Sequence, residues 1–227
     1  MANDKVPHPY YPRDIELPHY RENAWPGYAV TGTLLSIFGF ILVLCWVFVR
    51  KDKNGRRFSV GERLILAWWC LCGCIHTFLE GYYVTFRDTY PGKQDILAQT
   101  WKEYSKGDSR YIINDIYIVA IESVTAYIEG PLCFLILWAV VNKASYRNVL
   151  QICVAMGQFY GVVIFFITEH LDDYIHSPKG HLIYFWLYMV GMNSPWVIIP
   201  PMIIAKAWGE VSAAQALHDG QSRKKVK

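Results

Sequence analysis

The sequence predicts an all-α, polytopic membrane protein: a five-transmembrane-helix bundle with an intramembrane ligand pocket. Three observations predict it. Hydrophobic residues make up 53% of the 227 residues and charged residues only 18%. The charges are clustered, which leaves five stretches long and apolar enough to cross about 30 Å of hydrocarbon. Inside three of those stretches, carboxylates, an imidazole and an amide occur, some of them at helical spacing, and such groups face lipid only at high cost.

The chain opens MANDKVPHPYYPRDIELPHYREN, which is polar, proline-rich and aromatic. A basic start followed by a short apolar run and a small-residue cleavage site is missing there, so the first apolar span is expected to stay in place as an anchor. Span one runs from Tyr28 to Val49 without a charge. Span two, Leu64 to Phe86, contains His76 and Glu80; span three, Ile113 to Val141, contains Asp115, Glu122 and Glu129. Span four covers Val149 to Thr168, and span five, Leu182 to Ile204, holds Asn193 with Pro195, Pro200 and Pro201. The organisation is therefore an N-terminal segment (1–27), a bundle (28–205) and a basic tail (206–227).

The loops set the orientation. RKDKNGRR (50–57), NKASYR (142–147) and the RKKVK ending fall on one side of a five-span chain, and all are basic. An excess of Lys and Arg marks the cytoplasmic side. Four spans plus one interfacial segment is the alternative count. Lys224 and Lys225 resemble a dilysine retrieval signal of endoplasmic reticulum membrane proteins, with a plain solubilising tail as the alternative. Six cysteines lie in apolar spans rather than in loops. Cys70, Cys72 and Cys74 form a CxCxC, but on a helix they point in different directions and read as apolar filler, not as a metal site. The sequence contains no nucleic-acid motif and no nucleotide, flavin or haem signature, so no cofactor is expected.

His76 and Glu80 are four residues apart and share a helix face. Glu122, Thr125 and Glu129 do the same in span three, and Asn193 and Trp196 in span five. A lone His–Glu pair serves equally well as a tether between helices. Three carboxylates and an imidazole exceed what packing needs, so one polar pocket is expected. Glu129 precedes GPL and stays open between a direct role and a place near the interface. A carboxyl group withdrawn from water can hold a proton that a solvated one releases. An acid, an imidazole and a second carboxylate are the minimum needed to move a carbon–carbon double bond: protonate one alkene carbon, then deprotonate its neighbour. The cation between the two steps needs negative charge or an aromatic face, which Trp196 can supply. A metal held by His76 and Glu80 is the rival reading, and it lacks a second intramembrane histidine on a matching face. Residues 95–115, just before the helix of Glu122, read as a cap over the pocket or as an ordinary solvated loop.

HTFLEG (76–81), WKEYSKGDSRY (101–111), Glu122-Ser123 with Thr125, GQFYG (157–161), FITEH (166–170) and MNSPW (192–196) together resemble the emopamil-binding protein family of EXPERA-domain proteins. The likeness extends from HPYYP near the N-terminus through span five, and is closer to the sterol isomerase branch than to the sigma-2 receptor relative. It implies a delta-8 sterol entering from the membrane lipid and leaving as its delta-7 isomer. C9 gains a proton, C7 loses one, and positive charge sits at C8 between. The resemblance implies His76, Glu80 and Glu122 as catalytic residues. It places Trp196, Asn193, Thr125, Tyr104, Asp108 and Arg110 in substrate binding or cation stabilisation. The working assignment pairs His76 with Glu122 as donor and makes Glu80 the accepting base, with the two glutamate roles exchangeable. Asn193 would orient a carboxylate. The resemblance also implies binding of cationic amphiphilic ligands, is consistent with a homodimer, and implies an endoplasmic reticulum membrane protein with a lumenal N-terminus and a cytoplasmic C-terminus. The alternative is a non-catalytic sterol or drug-binding membrane protein. Val162 departs from the pattern, where Asp is expected after GQFYG.

Overall fold

The computed structural model describes residues 7–225, and side chains as far as 221. The first six residues, and the side chains of Lys224 and Lys225 on which the dilysine reading falls, lie outside what it describes. Six helices follow one another: α1 (Gly27–Phe48), α2 (Val60–Phe86), the short α3 (Ile96–Tyr104), α4 (Ile116–Val141), α5 (Arg147–Leu171) and α6, which begins at Leu182 and continues through Met192–Lys225. All but α3 contain a stretch long and apolar enough to cross a membrane. Among the described residues there is no strand, only an isolated bridge between Lys51 and Arg57.

Local chemistry sets the helix starts. The α2 start lies at Val60 rather than Leu64, because Ser59 and Glu62 form a reciprocal capping box. Arg56 clamps the same Glu62 carboxylate at 2.7 Å. The α4 start lies at Ile116 rather than Ile113, because Asp115 accepts from the amides of Tyr117 and Ile118. Asp95 caps α3, and His181 Nδ1 caps α6 through the amides of Ile183 and Tyr184. The expected end of span five at Ile204 does not interrupt α6. The run AKAWGEVSAAQALHDG is rich in strong helix formers, so the tail continues as an exposed helix.

Three segments wind as π-helix: Ile75–Glu80 in α2, Thr125–Glu129 in α4 and Leu182–Gly191 in α6. Side chains satisfy the carbonyls that irregular winding and proline leave open. Pro195 has no amide for the Gly191 carbonyl, and Ser194 Oγ donates to that carbonyl at 2.8 Å instead. Asn193 Nδ2 donates likewise to the Met189 carbonyl at 2.7 Å.

The α2 helix is the most enclosed span, with 50% of its apolar window buried, whereas α1 has 11%. It packs on α1 and α4, while α5 and α6 pair with each other. Two apolar clusters fill the bundle. One contains Trp68, Trp69, Cys72, Cys133, Ile136 and Val154. The other contains Tyr83, Tyr90, Trp101, Tyr111, Ile118 and Phe165. His76 and Glu80 fall between the two clusters along α2, as Glu122 and Glu129 do along α4.

Candidate active site

The π segments of α2 and α4 pack against each other, and the polar residues lie there. π turns recur at functional sites because they re-aim side chains within an otherwise regular helix. His76 and Glu80, on one face as expected, are hydrogen-bonded: Nδ1 lies 2.8 and 2.7 Å from the two carboxyl oxygens. The expected His76–Glu122 pairing is not formed. His76 instead meets Glu80 on one ring nitrogen and the Gln158 amide on the other, at 3.0 Å. Glu122 accepts from the Tyr111 hydroxyl at 2.6 Å and is a near neighbour of Glu80. His76, Glu80, Glu122 and Gln158 are all buried.

From these four, contacts continue into a closed ring. Tyr111 packs edge-on against Tyr104 with centroids 5.2 Å apart. The Tyr104 hydroxyl accepts from Asn193 Nδ2 at 2.7 Å. Asn193 and Trp196 lie three residues apart on α6, and the Trp196 ring returns to His76 at 6.1 Å. Trp68 backs Trp196 at 5.2 Å. Asn193 therefore orients a tyrosine hydroxyl, not a carboxylate as expected, because its second bond to Met189 holds the amide along its own helix. Thr125 donates to the Glu122 carbonyl at 3.0 Å, a bond within its own helix. Tyr104, Thr125, Asn193 and Trp196 are half-buried, so the ring is closed on its carboxylate side and open on its α6 side.

Several buried polar atoms here have no partner: Glu122 Oε2, Glu129 Oε2, Thr77 Oγ1 and Trp196 Nε1. Burial pushes the Tyr104 hydroxyl up, and burial together with the Glu122 carboxyl does the same for Tyr111. Both phenols keep their protons and stay available as donors.

Asp108 and Arg110 are not part of the ring. Arg110 Nε bonds both Asp108 oxygens at 3.0 Å and Nη2 bonds one at 2.6 Å. Its remaining donors go to Thr168 Oγ1 and the Phe165 carbonyl of α5, and Glu169 lies 3.4 Å from Nε. All three guanidinium nitrogens are engaged inside the protein, so the pair anchors the loop to α5. That loop is a packed cap, with Gln99 to Glu103 and Gly107 to Tyr111 all buried.

Two residues of the site escaped sequence reasoning. Tyr111 stood in the WKEYSKGDSRY motif without a role. Gln158 stood in GQFYG, and the signal was available: an amide in an apolar span is as costly in lipid as His76. Glu129 is buried, acts on His76 electrostatically and contacts the bare backbone of Gly157. Val162 is buried in α5. Among the described residues, no three His, Cys, Asp or Glu side chains are placed to hold a metal ion. Cavities of about 630 and about 60 Å³ lie elsewhere, the first around Tyr10, Tyr20 and Lys106, the second around Arg147 and Lys206. Neither includes a residue of the ring.

Comparison with known proteins gives the family. A family model described as EXPERA (EXPanded EBP superfamily) matches residues 96–207. The chain is 38% identical to the 3-beta-hydroxysteroid-Delta(8),Delta(7)-isomerase of Rattus norvegicus, over 99% of this chain and 97% of that protein. It is 36% identical to the enzyme of the same name from Cavia porcellus, over 92% and 90%. It is 39% identical to the isomeliandiol synthase of Ailanthus altissima, over 99% of each.

Proposed function

The chain belongs to the EXPERA (EXPanded EBP) superfamily, and on that premise we propose that it is a membrane isomerase that moves a sterol double bond from C8–C9 to C7–C8. The observation that carries the reading is the adjacency of Glu80 and Glu122 inside the ring, one carboxyl backed by an imidazole and the other carrying an unpartnered oxygen. Glu122, with Oε2 free, is the donor: its proton goes to C9 and leaves positive charge at C8. Glu80, held by His76 Nδ1, is the acceptor of the C7 hydrogen, and the C7–C8 double bond closes. The reaction is proton-neutral: between turnovers Glu80 releases its proton to water and Glu122 takes one up from water, which restores the starting state. The Trp196 ring faces the cation, with Trp68 behind it. His76 supports Glu80 and does not itself meet the sterol, since both ring nitrogens are engaged.

The same charge demand suits cationic amphiphiles, whose ammonium group imitates the C8 cation. The excess of Lys and Arg in the loops on one side supports a cytoplasmic end for α6 and a lumenal cap, in the endoplasmic reticulum membrane.

Purified protein in detergent with a delta-8 sterol in deuterated water tests the reading. The expected product is the delta-7 isomer labelled at C9. Glu122→Gln and Glu80→Gln are expected to lower turnover by about 10²–10⁴-fold while the protein stays folded. Product without label would reject protonation at C9. Sterol binding without any product would instead support a carrier that uses the same site without chemistry.

A further inference from the structure

His76 has two ring nitrogens, and the isomerase reading uses only the one that faces Glu80. The other meets Gln158, on a different helix. We propose that Gln158 is a positioning residue that fixes His76 as the neutral Nδ1–H tautomer and so keeps Glu80 a carboxylate able to accept a proton. Its part in turnover rests on the isomerase reading; its hold on the ring does not.

Nδ1 lies 2.7 and 2.8 Å from the Glu80 oxygens, so a hydrogen there has an acceptor. Nε2 lies 3.0 Å from the Gln158 amide nitrogen, which only donates. A donor facing Nε2 requires that nitrogen to be bare. With the Gln158 nitrogen facing it, Nε2 is bare and the ring hydrogen sits on Nδ1; an amide turned over would present Oε1 and call for Nε2–H instead, so the second bond sets the tautomer. The second hydrogen of the Gln158 amide points toward Cys133 Sγ at 4.0 Å, and Gln158 Oε1 is buried without a partner.

The groups facing His76 from every packed element are few. Glu80 comes from its own helix, Glu129 from α4, Gln158 from α5 and Trp196 from α6. Glu129 attracts a proton onto the ring, and the Gln158 donor opposes one at Nε2. With Nε2–H instead, Nδ1 would be bare and would call for a protonated Glu80, which is useless as a base.

Gln158→Met and Gln158→Glu keep the side chain's length. Nitrogen-15 spectra of ring-labelled His76 report the tautomer whether or not the protein turns over a sterol. Wild type is expected to show a bare Nε2 and a protonated Nδ1. Gln158→Met is expected to give a mixture of tautomers, and Gln158→Glu a protonated Nε2. With a delta-8 sterol, both variants should lose about 10- to 100-fold in kcat at near-constant KM. A protonated Nε2 in wild type, or the same ring state in all three proteins, overturns the proposal. An unlabelled or absent product from wild type with the expected spectra would sink the isomerase reading and leave the tautomer assignment standing.

Discussion

Lys102 shows at the scale of one residue how the cap is held. It is buried, and its ammonium donates to the carbonyls of Arg21 at 2.8 Å and Lys93 at 2.7 Å. Burial pushes it down to about 8 from an ordinary 10.5. Between those two values the unfolded chain binds a proton that the folded chain has released, so stability rises with pH across that window and is flat below it. Thermal unfolding in detergent below and above the window should show this gain, and Lys102→Met should abolish it. The opposite slope belongs to His176, whose imidazole is raised by its hydrogen bond to Glu169. Its contribution is complete below the ordinary histidine value and is lost as pH rises through the folded one. Glu169→Asn should remove that loss.

At the scale of elements, the contact between the two π segments decides the site. Gly130 lies where the chains touch: a Cβ there would stand 2.9 Å from the Thr77 amide nitrogen and 3.2 Å from His76 Cβ. Backbone cannot yield at that distance, so Gly130→Ala must separate α2 from α4. A cost of about 1–3 kcal/mol is expected from overpacking. It should appear as a lower unfolding temperature together with lost turnover, because the same displacement parts Glu80 from Glu122. A variant that turns over normally would show that the carboxyls tolerate separation.

For the whole molecule, the two ends of the bundle are tied differently. At the basic end Asp52 bridges Arg56 and Lys143 at 3.2 and 2.9 Å, and the Lys53 amide donates to the Val141 carbonyl. The loops before α2 and α5 therefore meet, as expected of loops on one side. At the other end the cap is interlaced with the N-terminal segment through Tyr10, Asn23 and the Arg21 amide, and anchored to α5 by Arg110. Arg110→Met would leave Asp108 buried without its cation and Glu169 with His176 and Ser177 alone, at about 3–5 kcal/mol. Proteolysis should then open the cap before the spans, and a cap that stays protected would locate its hold elsewhere.

The sequence by itself determined the five spans, which residues share a helix face, and the polar content of the bundle. Those follow from periodicity and from the cost of charge in lipid, and both act within one helix. His76 with Glu80 was legible for that reason, as were Asn193 with Trp196. Only the tertiary structure decided that Glu122 takes Tyr111, that Asn193 takes Tyr104, that Gln158 reaches His76, and that Asp108 and Arg110 anchor a cap. Periodicity gives the direction of a side chain around its own axis. The partner across the interface depends on how neighbouring helices are rotated and how closely they approach, and three π turns change that rotation without any mark in the hydrophobic pattern.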